Sequence, residues 1–128
     1  MDEFKIDKID TSAIEPLRKN RFVVEFPKNY KIPQWAIRNF TFLDNNEIEI
    51  KIMEIVGSCY ICRFNDMPKI GELDIKLLDP TNTPLLNMGL TKVKVVKITP
   101  DKLDYKTDEI FEFTLRCKYK KIKYGPLY

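Results

Sequence analysis

The sequence predicts an all-β protein, a single antiparallel sandwich or barrel, and three observations predict it. Apolar residues recur with a period of two in one segment after another, as the inward face of a half-buried strand does. Clusters of Asp, Asn, Thr, Pro and Gly separate those segments at short intervals. No stretch of about ten residues holds a helical period, which leaves room for one short helix at most. The 128 residues amount to one domain, and a composition 44% hydrophobic and 12% aromatic is enough for one core.

Residues 1–20 mix charges with weak periodicity. Asp10, Thr11 and Ser12 offer N-caps for a turn that Pro16 tolerates only near its start, so this segment reads as an arm ahead of a β domain at 21–128. From Arg21 the period becomes two: Phe22, Val24 and Phe26 share one face, Arg21, Val23 and Glu25 the other, and Pro27 ends the strand. Residues 28–33 are loop-like. Residues 35–43 are rich in aromatic and β-branched residues and end in a turn at Asp44, Asn45 and Asn46, after which Ile48, Ile50 and Ile52 alternate with Glu47, Glu49 and Lys51 as the second arm of a hairpin. Residues 58–64 are a short apolar run, and residues 65–71 are turn, punctuated by Pro68 and Gly71.

Leu73, Ile75 and Leu77 alternate with Glu72, Asp74 and Lys76, and Asp79 to Pro84 is a breaker. Residues 85–90 are apolar but short, which suits one helical turn or an irregular crossover. Val93 and Val95 alternate with Lys92 and Lys94 until the phase slips at residues 96–98, as one inserted bulge residue would make it slip. The longest strand is expected last, with Phe111, Phe113, Leu115, Cys117 and Tyr119 on one face and Ile110, Glu112, Thr114, Arg116 and Lys118 on the other. That makes about seven β segments, with no internal repeat.

Composition removes several functions. Histidine is absent, and with it the residue best suited to proton transfer at neutral pH and the commonest metal ligand. The four glycines, at 57, 71, 89 and 125, never fall within ten residues of one another, so no glycine-rich loop cradles a phosphate. An enzyme is therefore not expected, nor any cofactor. There is no run of 18 apolar residues and no signal-like apolar segment near the start, which predicts a chain that neither spans a membrane nor is secreted. With 22 basic against 19 acidic residues the net charge is only +3, too little for an obligate DNA-coating protein.

Two constellations have a plain reading beside a functional one. Cys59 and Cys62 have the spacing of a zinc knuckle or redox pair, with Cys117 a conceivable third ligand. In a strand, however, residues three apart point to opposite faces, and no fourth thiolate or imidazole exists, so buried free thiols and no metal are expected. Asp101, Asp104, Asp108 and Glu109 cluster, but the interleaved Lys102 and Lys106 mark a solvated loop, not a calcium site. Near the end, Arg116, Lys118, Lys120, Lys121 and Lys123 run without an acid and with Tyr119, Tyr124 and Tyr128 among them. Such a basic face interleaved with rings is what small β-barrels use for single-stranded nucleic acid. It is equally the wet face of a strand whose lysines discourage edge-to-edge aggregation. On the other side of the ledger of charge, Glu47, Glu49 and Lys51 form a polar strand face and are candidate subunit contacts.

Three stretches together resemble the tail-tube family of contractile-tailed bacteriophages and related injection systems. These are the stretch 20–27, a polar entry into the Phe22, Val24, Phe26 strand, followed by Ile32 and Pro33; the stretch 73–84, where an alternating strand runs into Asp79, Pro80 and a polar turn; and Leu103, Asp104 and Tyr105 preceding Thr107, Asp108, Glu109 and the strand 110–119. The last looks like the closing hairpin of tube proteins and of the neck and baseplate proteins that share their fold. The resemblance implies two packed antiparallel sheets, assembled as a hexameric ring whose inner sheets join into a β-lined channel. It implies a structural protein of the virion tail, made in the bacterial host cytoplasm, touching neighbouring tube, neck or baseplate proteins and passing DNA during ejection without reading its sequence. The alternative is a small single-stranded nucleic-acid-binding β-barrel. Two departures from the family stand out: residues 85–90 leave room for little more than one helical turn where the family inserts about three, and the last strand is basic where family lumens tend to be acidic.

Overall fold

Alternation becomes a single antiparallel sheet in the computed structural model, which describes residues 21–106 and 108–126. Its strands are β1 (Phe22–Glu25), β2 (Ile37–Leu43), β3 (Glu47–Met53), β4 (Lys69–Leu78), β5 (Pro84–Pro100), β6 (Glu112–Lys118) and β7 (Lys121–Pro126), with one helix, α1 (Tyr60–Asp66), between β3 and β4. The strand order is β1-β4-β5-β6-β3-β2, with β7 also paired to β5. The expected all-β antiparallel architecture with one short helix is therefore what forms. The proposed arm at 1–20 lies outside the described residues.

The 17-residue β5 organises the sheet. Its first half lies between β4 and β7, with Leu86 opposite Pro126 and Thr91 opposite Lys121; its second half lies beside β6, with Lys94 opposite Lys118 and Pro100 opposite Phe113. β6 and β7 are thus consecutive halves of one run antiparallel to β5, broken at Tyr119 and Lys120, whose amides donate to the carbonyls of Asn46 and Thr91 at 2.9 Å. At the same level β4 and β5 both irregularly shift register, and Gly71 (φ 90) and Lys92 (φ 52) adopt left-handed backbone. A bulge with a positive-φ residue bends and twists its strand, so the sheet folds over here and its two halves enclose one core. The slip expected near residue 96 is a bulge: Val95 faces Cys117 and Lys97 faces Arg116, which leaves Val96 as the extra residue.

The core follows the alternation. Ile48, Ile50 and Ile52 are fully buried from β3, Phe113, Leu115 and Cys117 from β6, and Val24, Leu73, Ile75, Leu90 and Val93 from the other strands. Tyr60 and Phe64, four residues apart on α1, point into the same cluster. Opposite them lies a strap of two 3₁₀ turns, Lys28–Tyr30 and Gln34–Ala36. Tyr30 anchors it: the ring is buried and stacks on Phe64 (centroids 5.1 Å apart), and the hydroxyl donates to the Met67 carbonyl at 2.6 Å. Arg63 Nη1 donates to the carbonyls of Tyr30 (2.6 Å) and Lys31 (3.2 Å), tying helix to strap. In the breaker, Asp79 Oδ1 accepts from the amides of Thr81 and Thr83 and from the Thr81 hydroxyl, which closes the turn and holds the carboxyl below its usual range.

Four expectations are corrected. Residues 58–64 are not a β segment, since 60–66 are helical. Residues 85–90 are neither a helical turn nor a crossover but the first half of β5. The longest strand is β5, not the last, and β6 ends at Lys118 before a seventh strand begins. Finally, Cys59 and Cys62 are not buried free thiols: they are exposed and form a disulfide, while Cys117 is free and buried.

Candidate assembly surface

Because β3 and β6 are antiparallel neighbours in full register, their polar faces coincide. Glu47 lies opposite Lys118, Glu49 opposite Arg116 and Lys51 opposite Thr114, and the Arg116 guanidinium reaches Glu47 Oε1 at 3.2 Å. The candidate contacts Glu47, Glu49 and Lys51 and the first two members of the candidate basic face are therefore one mixed-charge surface. Lys97 and Thr99 continue it across β5 and, with Glu49, Thr114 and Arg116, line a shallow depression. Lys120 lies in the break after β6, and Lys121 and Lys123 lie on β7 beyond the bend. The structure thus divides the five basic residues between two sides of the bend, with carboxylates beside those on β6.

Lys123 lies opposite Gly89, which in turn lies opposite Asp74. A Cβ at Gly89 would come within 3.2 Å of Asp74 Oδ1, so the absent side chain gives that carboxylate its space. Across the same half-sheet Lys76 and Glu25 form an ion pair, and at the far side Arg38, the bulged residue of β2, meets Glu112 at 2.8 Å. Exposed pairs of this sort stabilise the fold by little. Their effect is to keep the surface near electrical balance.

The sheet's edges differ. The outer edge of β1 is closed by a side chain: Gln34 Oε1 accepts from the Val24 amide at 2.9 Å, and Gln34 Nε2 donates to the Val24 carbonyl. A primary amide carries one donor and one acceptor group side by side, as a peptide group does, so Gln34 occupies the place of a neighbouring strand. Nothing in the sequence pattern marks Gln34, an exposed polar residue after Pro33. The outer edges of β2 and β7 have no strand beside them among the described residues. Gln34→Leu should destabilise the fold by about 1–3 kcal/mol, since it leaves the amide and carbonyl of the buried residue Val24 without their partner. It should also raise nonspecific self-association, read by light scattering against concentration; unchanged scattering would show that the edge needs no such closure.

Among the described residues there is no group of three or more potential metal-ligating side chains, and no helix long and apolar enough to cross a membrane.

No protein-family model and no curated protein matches the sequence. Solved structures do share the fold. A chain from the anti-feeding prophage cap, described as a tube-terminating cap, superposes with a TM-score of 0.77 at 14% identity over 97% of this chain and 100% of that one. A chain from the sheath–tube complex of an extracellular contractile injection system, in its extended state, gives 0.72 at 10% identity over 98% and 100%. Hcp1 from Flavobacterium johnsoniae gives 0.52 at 16% identity over 70% and 85%. The fold is that of the tail-tube proteins.

Proposed function

We propose that this chain is a structural, non-enzymatic subunit of a contractile tail, a tube or cap component that assembles as a hexameric ring and lets DNA pass during ejection. The observation that carries this reading is the superposition over 97% of this chain and 100% of a chain from a tube-terminating cap. The geometry supports it. The outer edges of β2 and β7 stay open for strand pairing between copies while that of β1 is closed at Val24 by Gln34. A mixed face, with Glu47 and Glu49 beside Lys118 and Arg116, suits a wall past which a polyanion slides without being held. The same pairing disfavours a nucleic-acid-binding barrel, because phosphates would compete with those carboxylates.

The test is assembly. Purified protein should form rings or short stacks by negative-stain microscopy, alone or with its neighbouring tail proteins, and these should persist in salt that screens surface charge. Five phosphate contacts to a single strand would instead make log affinity for an oligonucleotide fall with log salt at a slope near about −3.5. We expect weak binding that Lys118, Lys120 and Lys121 changed to Gln barely alters. A protein that stays monomeric with its neighbours supplied, and binds oligonucleotide tightly through those lysines, would overturn the reading.

A further inference from the structure

The three cysteines divide by surroundings. Cys117 is fully buried in the core, whereas Cys59 and Cys62 are exposed, belong to no part of the core cluster, and are joined by a disulfide with Cα atoms 5.3 Å apart. Packing does not account for the pair, because an exposed thiol contributes little burial. The bond's place in the chain does. Cys59 has left-handed backbone (φ 47), a conformation that costs a residue with a Cβ roughly 1 kcal/mol or more. Its carbonyl accepts the opening hydrogen bonds of α1, from the amides of Cys62 (3.1 Å) and Arg63 (3.4 Å). The disulfide closes that same turn covalently. At seven residues α1 is too short to hold itself together in water, so its order depends on its ends and on what it touches. What it touches is the strap, through the Arg63 bonds to the carbonyls of Tyr30 and Lys31, with the guanidinium 5.0 Å from the centre of the Tyr60 ring.

We infer that Cys59 and Cys62 form a reversible thiol–disulfide site that exchanges with small thiols of the glutathione class, and that closing the bond tightens α1 against the strap. Both residues are exposed, and exposed disulfides are the exchangeable ones while buried structural disulfides resist reduction. In the opening direction a thiolate attacks one sulfur, forms a mixed disulfide and releases the other cysteine as a thiolate, which takes a proton from water. A second thiolate attacks the small thiol's sulfur in the mixed disulfide, releasing the remaining cysteine thiolate, which is protonated in turn. Two small thiols are oxidised to one disulfide, and one protein disulfide is reduced to two thiols. The site is thus open in a glutathione-reducing medium and closed once the chain meets an oxidising one.

The experiment uses the whole chain in buffers of varied reduced and oxidised glutathione, quenched with acid and labelled with a maleimide for intact mass. The expected result is two labels at the reducing end and none at the oxidising end, with Cys117 labelled only after unfolding, and backbone hydrogen exchange at 60–66 roughly tenfold faster in the reduced state while β3 and β6 are unchanged. The Cys59→Ser/Cys62→Ser variant should exchange at the fast rate in both buffers. A pair that stays unlabelled in native protein under excess reduced glutathione, a pair labelled in every buffer, or exchange at 60–66 that is equal in the two states would each overturn the inference.

Discussion

Phe64→Ala should destabilise the protein by about 3–5 kcal/mol, the range for removing a buried aromatic ring. The ring is fully buried and meets three others: it stacks on Tyr30, lies edge-on to Phe26 at 5.3 Å, and approaches Phe113 at 6.3 Å. It therefore joins α1, the strap and the sheet at one point. A helix of two turns has no independent stability to fall back on, so the loss includes the docking of α1 as well as the cavity. Urea titration would show it as a fall in midpoint with little change in slope. Phe64→Leu, which keeps most of the volume, should cost markedly less, and Trp35→Ala, at a 64% exposed position, should stay within about 0.5 kcal/mol. Tyr30→Ala combined with Phe64→Ala should cost less than the sum of the two, because each removes the other's partner. A Phe64→Ala effect below about 1 kcal/mol would mean that α1 does not close the core.

Stability should decline steeply above pH 9. Burial pushes the Cys117 thiol up to about 12, and burial likewise raises the Tyr30 phenol above its ordinary value. An acid whose folded pKa is raised keeps its proton in the fold while the unfolded chain releases it. The contribution is thus fully present below the unfolded pKa, near 9, and is lost as pH rises toward 12. The slope is at most about 1.4 kcal/mol per pH unit, or roughly 4 kcal/mol in all for Cys117. Tyr30 acts in the same direction, and its ionisation would also remove the proton given to the Met67 carbonyl. Denaturant midpoints from pH 8 to 11 should fall for the parent and fall less for Cys117→Val, which keeps an apolar group between Ile48 and Val95. Parallel curves for the two proteins would refute the assignment to Cys117.

Strands with one wet face were legible because their pattern is local. Ile48, Ile50 and Ile52 against Glu47, Glu49 and Lys51 admit one reading, and the slip at Val96 could be seen because the alternation around it is regular. Three features were not legible. Tyr60 and Phe64 are one helical repeat of two inward residues, too little to tell a period of 3.6 from a short apolar run. Residues 84–89 are all half-buried, so the first half of β5 shows no alternation to detect. In a strand Cys59 and Cys62 would point to opposite faces, but at the start of a helix residues three apart lie on the same side. Of the candidate surface, each charge could be read, but not that Glu47 faces Lys118. That depends on the register between strands about 70 residues apart, which the hydrophobic pattern constrains only once β3 and β6 are known to be neighbours.

The shared strand β5 has a consequence for cooperativity. Each half of the sheet is built on it, the first with β5 between β4 and β7 and the second with β5 beside β6, so neither half is a foldon that can open while the other stays closed. The outermost strands β1, β2 and β7 can fray at their own small cost, but melting β5 removes the pairing partner of β4, β6 and β7 at once. The chain therefore meets heat, denaturant or mechanical load as a single all-or-none block with loose margins, and a substitution on one side of the bend lowers the resistance of the other side by the same amount.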